Sequence, residues 1–201
     1  DNYIHEIFFF LHHCMLLACC CLYMLYAKKT GNFSETAIFL KINSLLRYMI
    51  IRSVQETDYE QLVKLYRIFF SKHNIFQRPD NSIIEYLKDQ AKTSPLLVVE
   101  ERSSLVGAVV LHQFGQTTNG SHRLWKFRHF AFLSDDVGVQ LLKTAEDHVK
   151  KLSKTVKIEL TIAETESSKE FYLSNGYVEE GILKDHYRPR EKCYLLGKSL
   201  L

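Results

Sequence analysis

Proline and glycine are scarce, with 3 and 8 copies in 201 residues. That scarcity excludes collagen-like repeats and the Pro/Gly-rich chains that stay disordered. No repeat period of the solenoid or propeller kind is present. A strong charge of one sign is also missing. The formal net charge is +3, from 26 basic and 23 acidic side chains. Such a small excess excludes a typical nucleic-acid-binding surface, which concentrates Lys and Arg on one face. A cysteine framework is lacking too. Cys14, Cys19, Cys20 and Cys21 crowd one short stretch, and Cys193 stands apart. An odd count with three adjacent residues suits no disulfide scaffold. The spacing also fails zinc, which takes pairs two to four residues apart. His12, His13 and Cys14 have metal-ligating chemistry, yet apolar packing or lipid contact is the simpler reading, so no metal is expected. A reducing compartment follows.

What is present begins with an apolar run. Residues 7–26 (IFFFLHHCMLLACCCLYMLY) carry no formal charge and are long enough to cross a bilayer. Lys28 and Lys29 follow, and a positive flank on the inner side leaves the rest of the chain in the cytoplasm. His12 and His13 count against a span, because polar groups in lipid are costly. No basic region precedes the run and no small-residue cleavage site follows, so it does not read as a cleaved signal. Three readings stand: a membrane anchor, a helix that packs on the domain or a partner, or residues foreign to the working protein. The last draws on Asp1 as first residue and on Met49 at the start of the regular pattern. The expected division is a hydrophobic helical extension over 1–48 and a globular domain over 49–201.

From Met49 onward the periodicities are regular. MIIRSV (49–54) is a β-branched run that predicts a strand. Thr57 and Glu60 have capping-box spacing, and Leu62, Val63, Tyr66, Phe69 and Phe70 recur at helical period. Ser82 and Glu85 repeat that spacing before a second helix. Strands are predicted over 95–101 and 105–114, joined by a short polar turn, and again over 122–133. Val137, Leu141, Leu142, Ala145, Val149 and Leu152 mark one helical face, with Asp135 or Asp136 at the N-cap position. Residues 156–162 alternate apolar and polar. A short helix over 167–175 stops at Gly176, and strands follow near 177–183 and 192–199. The order β-α-α-β-β-β-α-β-α-β-β predicts a mixed α/β sheet with helices on both faces.

This order, with the segment 167–200 (SSKEFYLSNGYVEEGILKDHYRPREKCYLLGKSL), resembles the GNAT N-acetyltransferase family. The likeness lies in Phe171-Tyr172, then Gly176-Tyr177, then a last strand ending in Lys198-Ser199-Leu200. It implies a mostly antiparallel, twisted sheet flanked by helices. It also implies acetyl-CoA as co-substrate and transfer of its acetyl group to a primary amine of a small molecule or peptide. Family members carry Arg/Gln-x-x-Gly-x-Gly/Ala before the helix that follows the fourth strand. There the glycines let the backbone approach the CoA pyrophosphate, which the helix N-terminus stabilises. In this chain Gly138 falls on the second glycine, Asp136 replaces the first, and Leu133 stands where Arg or Gln belongs. The loop is short, and its two carboxylates oppose a polyanion, although Asp135 and Asp136 also suit a helix cap.

The resemblance assigns the cofactor to Phe132, Leu133, Asp136 and the backbone of Val137, Gly138, Val139 and Gln140. It adds Thr165 and Ser168, which stand where relatives have Asn and Ala, and Phe171. It assigns Tyr172 as the acid that protonates the leaving thiolate; phenol and thiol have close reference pKa values. The general base is open. Trp125, Phe127 and His129 are expected on one face of the fourth strand, with Lys126 and Arg128 on the other. His129 has a suitable reference pKa; Glu159 and a water chain are alternatives. His186, Tyr187 and Arg188 in the last turn are expected near the acceptor. The altered glycine loop keeps a second class open, a GNAT-like module that binds a ligand or partner without catalysis. The acceptor's identity is open, as is a homodimer through edge strands.

Overall fold

The computed structural model describes residues 49–72 and 74–201. The expected membrane anchor or packed helix at 7–26 lies outside the described residues. Among those described, no helix is long and apolar enough to cross a membrane.

Seven strands form one sheet in the order β1-β2-β3-β4-β5-β7-β6. They are β1 (Met49–Ser53), β2 (Leu96–Glu101), β3 (Ser104–Gln116), β4 (His122–Phe132), β5 (Thr155–Ala163), β6 (Val178–Lys184) and β7 (Lys192–Leu200). The helices are α1 (Tyr59–Phe69), α2 (Asp80–Thr93), α3 (Asp135–Lys150) and α4 (Lys169–Ser174). Short 3-10 turns at Glu56–Asp58 and Asn74–Gln77 precede α1 and α2. Every neighbouring pair is antiparallel except β4 and β5, which are parallel and joined through α3. The element order expected from periodicity is the observed one.

Strand alternation sorts the core onto two faces. Leu97, Val99, Val109, Leu111 and the inward set Val156, Ile158, Leu160 and Ile162 pack with Val137, Leu141, Ala145 and Val149 of α3. Leu96, Val98, Ala108 and Val110 pack on the opposite face with Leu62, Tyr66, Ile83 and Leu87 of α1 and α2. β2 and β3 read as near-continuous apolar runs because both their faces are covered. Each fully buried Leu, Ile or Val contributes about 1.5–3 kcal/mol relative to exposure.

The starts of α1 and α2 both differ from expectation. The box between Thr57 and Glu60 does not form. Asp58 takes its place: its carboxylate accepts from the Gln55 amide at 2.7 Å and receives both Arg52 Nη atoms at 2.6 and 2.9 Å. Arg52 also reaches Glu100 on β2 at 2.8 Å. A bidentate guanidinium is stronger than a threonine hydroxyl cap, so α1 is pinned to the first two strands through this pair. At α2 the helix begins at Asp80, directly after Pro79, and not at the Ser82–Glu85 spacing. The fixed φ of proline favours that start.

Asp58 is 3 % exposed, so removing its charge leaves Arg52 with Glu100 alone and puts a weaker acceptor in the buried position. Asp58→Asn is expected to lower unfolding free energy by roughly 1.5–3 kcal/mol, the scale of a hydrogen bond to a charged group. The Arg52 guanidinium holds the Asp58 carboxyl below its ordinary value. The pair's contribution is therefore full above the unfolded pKa and is lost as pH falls through the folded one. Urea unfolding at several pH values should show the difference between wild type and variant shrinking below about pH 4.

Candidate active site

The site begins where the one parallel pair of strands comes apart. β4 and β5 pair from His122↔Thr155 to Lys126↔Glu159 and no further. Beyond that point Phe127–Phe132 and Leu160–Ala163 run without each other. On its other edge β4 carries a bulge. Ala108 faces Ala131 and Val110 faces Arg128, so His129 and Phe130 together oppose Val109. His129 sits at φ 50°, in the left-handed region. A bulge adds local twist and bends its strand, which carries the end of β4 away from β5.

The bulge also reverses the alternation. His129 does not share a face with Trp125 and Phe127, as simple alternation predicts. Its ring lies edge-on to Tyr66 and Phe76, with centroids 6.1 and 5.2 Å apart, and its Nε2 is 2.7 Å from the Tyr86 hydroxyl. Phe130, the next residue, packs with Phe132 and Tyr172 on the α3 side. One extra residue accounts for the shift.

A cavity of about 600 Å³ occupies the opening between the strands. Its lining draws on both core faces: Phe70, Ile75 and Tyr86 from one, Leu160, Ile162 and Tyr172 from the other. His129, Glu159, Ser168, His186 and Tyr187 also reach it. Tyr187 is held by its hydroxyl, 2.6 Å from Thr161 Oγ1.

Tyr172 is placed by the end of α4. The Tyr177 amide donates to the Tyr172 carbonyl at 3.1 Å and the Gly176 amide to Leu173 at 3.2 Å. This is a Schellman ending, with Gly176 at φ 84° where other residues would be strained. Phe130, Phe171 and Tyr177 surround the Tyr172 ring. Burial raises its phenol pKa well above the ordinary value, and the nearby Glu166 charge raises it further.

Glu166 was not among the expected catalytic residues. It lines the same cavity as Tyr172 and a smaller one beside it, of about 150 Å³, against Lys72, Thr165 and Arg188. Burial pushes its carboxyl pKa up to about 7, with Arg188 pulling down and Glu191 pushing up. Arg188 is tied to Glu191 at 2.6 Å and to the Lys72 carbonyl at 2.5 Å. Thr165 donates to the same Glu191 oxygen at 2.9 Å. The polar turn Glu164-Thr165-Glu166 ends β5, and only the tertiary fold turns one of its two glutamates inward.

At the other end of the opening lies α3. Only Leu133 and Ser134 separate it from β4, and Ser134 is the N-cap, one residue before the expected Asp135 or Asp136. Asp135 and Asp136 occupy the first turn and are exposed, as are Leu133, Val139 and Gln140. The Gly138 amide already donates to the Ser134 carbonyl at 3.0 Å. Amides from Gly138 onward are therefore used within the helix, and its N-terminal turn lies at Asp135–Val137, two residues earlier than the Val137–Gln140 set expected. Val137 is buried under the sheet. A shallow groove lined by Asp135, Val139, Ser167 and Phe171 joins this end to α4.

Gly138 earns its place by contact. A Cβ there would stand 2.8 Å from Phe171 Cζ and 2.9 Å from Phe132 Cδ2. Those two rings are 4.4 Å apart between centroids and pack α4 onto the end of β4. Gly138→Ala should force the rings apart. The expected cost is about 1–3 kcal/mol of stability, measured by denaturant unfolding, with a shifted near-UV aromatic signal.

No protein-family model matches the chain, and no curated protein matches its sequence. Solved structures do match. An aminoglycoside 6'-N-acetyltransferase complexed with coenzyme A superimposes with a TM-score of 0.62 at 17% identity, over 76% of this chain and 97% of that one. A ribosomal-protein-alanine N-acetyltransferase from Brucella melitensis gives 0.56 at 16% identity, over 75% and 99%. An acetyltransferase of the GNAT family from Streptococcus pneumoniae gives 0.55 at 17%, over 77% and 100%. Near-complete coverage of those chains, with the strand order and split sheet described above, establishes that this chain carries the GNAT N-acetyltransferase fold.

Proposed function

We propose that residues 49–201 form an acetyl-CoA-dependent N-acetyltransferase that acts on a primary amine of a small molecule or peptide. The observation that carries this reading is the meeting of three features in one cavity: the split between β4 and β5, the bulge at His129 and Phe130, and the pair Tyr172 and Glu166.

The residues fit the co-substrate unevenly. The split and its cavity suit a long, thin arm, with Thr165, Ser168 and Phe171 along one side. The pyrophosphate would meet the amides at the start of α3, beside Phe132, Leu133 and Asp136. A helix N-terminus favours anions, while Asp135 and Asp136 oppose them. Acetyl-CoA supplies an activated acyl carbon. Everything else falls to the chain.

Glu166 accepts a proton from the acceptor ammonium and so frees the nitrogen lone pair. A carboxyl pushed to about 7 is half ionised near neutrality, where a general base works best. The amine nitrogen then bonds to the thioester carbon as the C–S bond breaks. Backbone amides at the bulge polarise the carbonyl, a preorganised contribution. Tyr172 gives its proton to the departing sulfur. Burial keeps that phenol protonated until thiolate charge develops beside it. The nitrogen's second proton restores the phenol, and the proton on Glu166 leaves to water. His129 and Glu159 are the other bases within the cavity; the hydrogen bond to Tyr86 orients His129.

The exposed Asp135 and Asp136 favour a second reading, a GNAT-like binding module without transfer activity. Calorimetry of acetyl-CoA on the full chain separates the two. Binding in the micromolar range that tightens in Asp136→Asn supports the enzyme. No binding to either folded protein removes it.

For the enzyme, Tyr172→Phe and Glu166→Gln are each expected to lower kcat by about 10²–10⁴-fold, followed by release of the CoA thiol. Glu166 must be ionised to act, so kcat/KM should rise as pH passes upward through about 7. Glu166→Gln should lose that limb. A wild-type profile flat from pH 6 to 8 would rule Glu166 out.

A further inference from the structure

The cavity holds cations that no carboxylate answers. Lys126 and Arg128 both line it, and neither forms an ion pair among the described residues. By contrast Arg52, Lys157, Lys169, Arg188 and Lys198, all similarly half-buried, each pair with a carboxylate. Glu159 is the register partner of Lys126 on β5 but does not pair with it. Arg128 is steadied by a neutral group, the Gln90 side-chain oxygen at 3.0 Å. Half-buried charge without a partner is costly, and such a cost is commonly offset by a ligand.

The charges are also segregated. Lys126 stands where the β4–β5 pairing ends, with His112 across on β3. Glu166 lies beyond the far end of β5, three residues past Ala163. From Glu159, level with Lys126, to Ala163 the strand advances about 13 Å. The cavity therefore has Lys126 and Arg128 at one end, two cations against the single carboxylate of Glu159, and Glu166 at the other. The positive field is felt locally. His112 is held below its ordinary pKa chiefly by burial, with Arg128 and Lys126 adding.

We propose that the acceptor is a zwitterion, a primary amine that also carries a carboxylate, with the amine at Glu166 and the carboxylate at Lys126 and Arg128. A polycation would set several positive charges against Lys126 and Arg128, and like charges in contact select against a partner. A plain monoamine would leave both cations unanswered. This rests on the acetyltransferase reading for its chemistry, although not for its charge complementarity.

The test uses full-length protein, acetyl-CoA and matched acceptors. Long ω-amino acids and short peptides with a free amine and a carboxylate, which can span the two ends, are compared with their carboxamides, and with spermine and kanamycin as polycations. CoA thiol release is the readout. The acids are expected to exceed their amides at least ten-fold in kcat/KM and to exceed both polycations. Lys126→Gln should collapse that ratio, and Lys126→Glu should invert it. Lys126 is half-exposed and unpaired, so both variants should fold, as circular dichroism will report. Equal rates for acids and amides, or a preference for polycations, overturn the proposal, as does a ratio untouched by Lys126→Glu. If no amine is acetylated, the acetyltransferase reading fails. Ligand-observed NMR of the same acid and amide pairs against the full chain then decides the zwitterion preference: selective binding of the acids upholds it, and equal or absent binding rejects it.

Discussion

The whole site depends on a strand that cannot stay flat. β4 carries one residue too many against β3, and His129 absorbs it in a left-handed conformation. The added twist takes β4 out of register with β5 after Lys126. Parallel pairing would otherwise have continued and filled the sheet with ladder hydrogen bonds. The space left open admits residues of both core faces to one cavity.

Aromatic packing keeps that opening from collapsing. Phe130, Phe132, Phe171, Tyr172 and Tyr177 form a chain of ring contacts from β4 to the end of α4. Gly138 lets α3 join it by leaving room for two of those rings. On the opposite face Tyr66, Phe70, Phe76 and Tyr86 enclose His129. Such rigid walls hold charged groups in a fixed, partly dry arrangement, which is where small changes in burial move proton affinities furthest. Glu166 and Tyr172 lie on one such wall, and Lys126 and Arg128 lie where the strands part.

Much of this was legible in the chain. The alternation over 156–162 gave β5 nearly to the residue, and the helical period over 137–152 gave α3, except that Leu152 lies past its end at Lys150 and is exposed. Gly176 marked the end of α4, and Phe171-Tyr172 pointed to the wall of the cavity. Other features were not legible. A bulge has no signature in an apolar–polar pattern, so His129 was expected on the wrong face. Asp58 outcompetes Thr57 as the anchor of α1 because Arg52, six residues away, is brought back by β1. Glu166 looked like one glutamate of two in a polar turn.

Local periodicity thus determined the order of elements and the two-faced core, because burial of one face per element is written in residue spacing; the family resemblance rested on that order together with Phe171-Tyr172 and Gly176-Tyr177. The sheet's split, the inward glutamate and the unanswered cations were decided by tertiary structure alone. Each depends on which side chains from distant segments share a dry space, and sequence spacing carries no record of that.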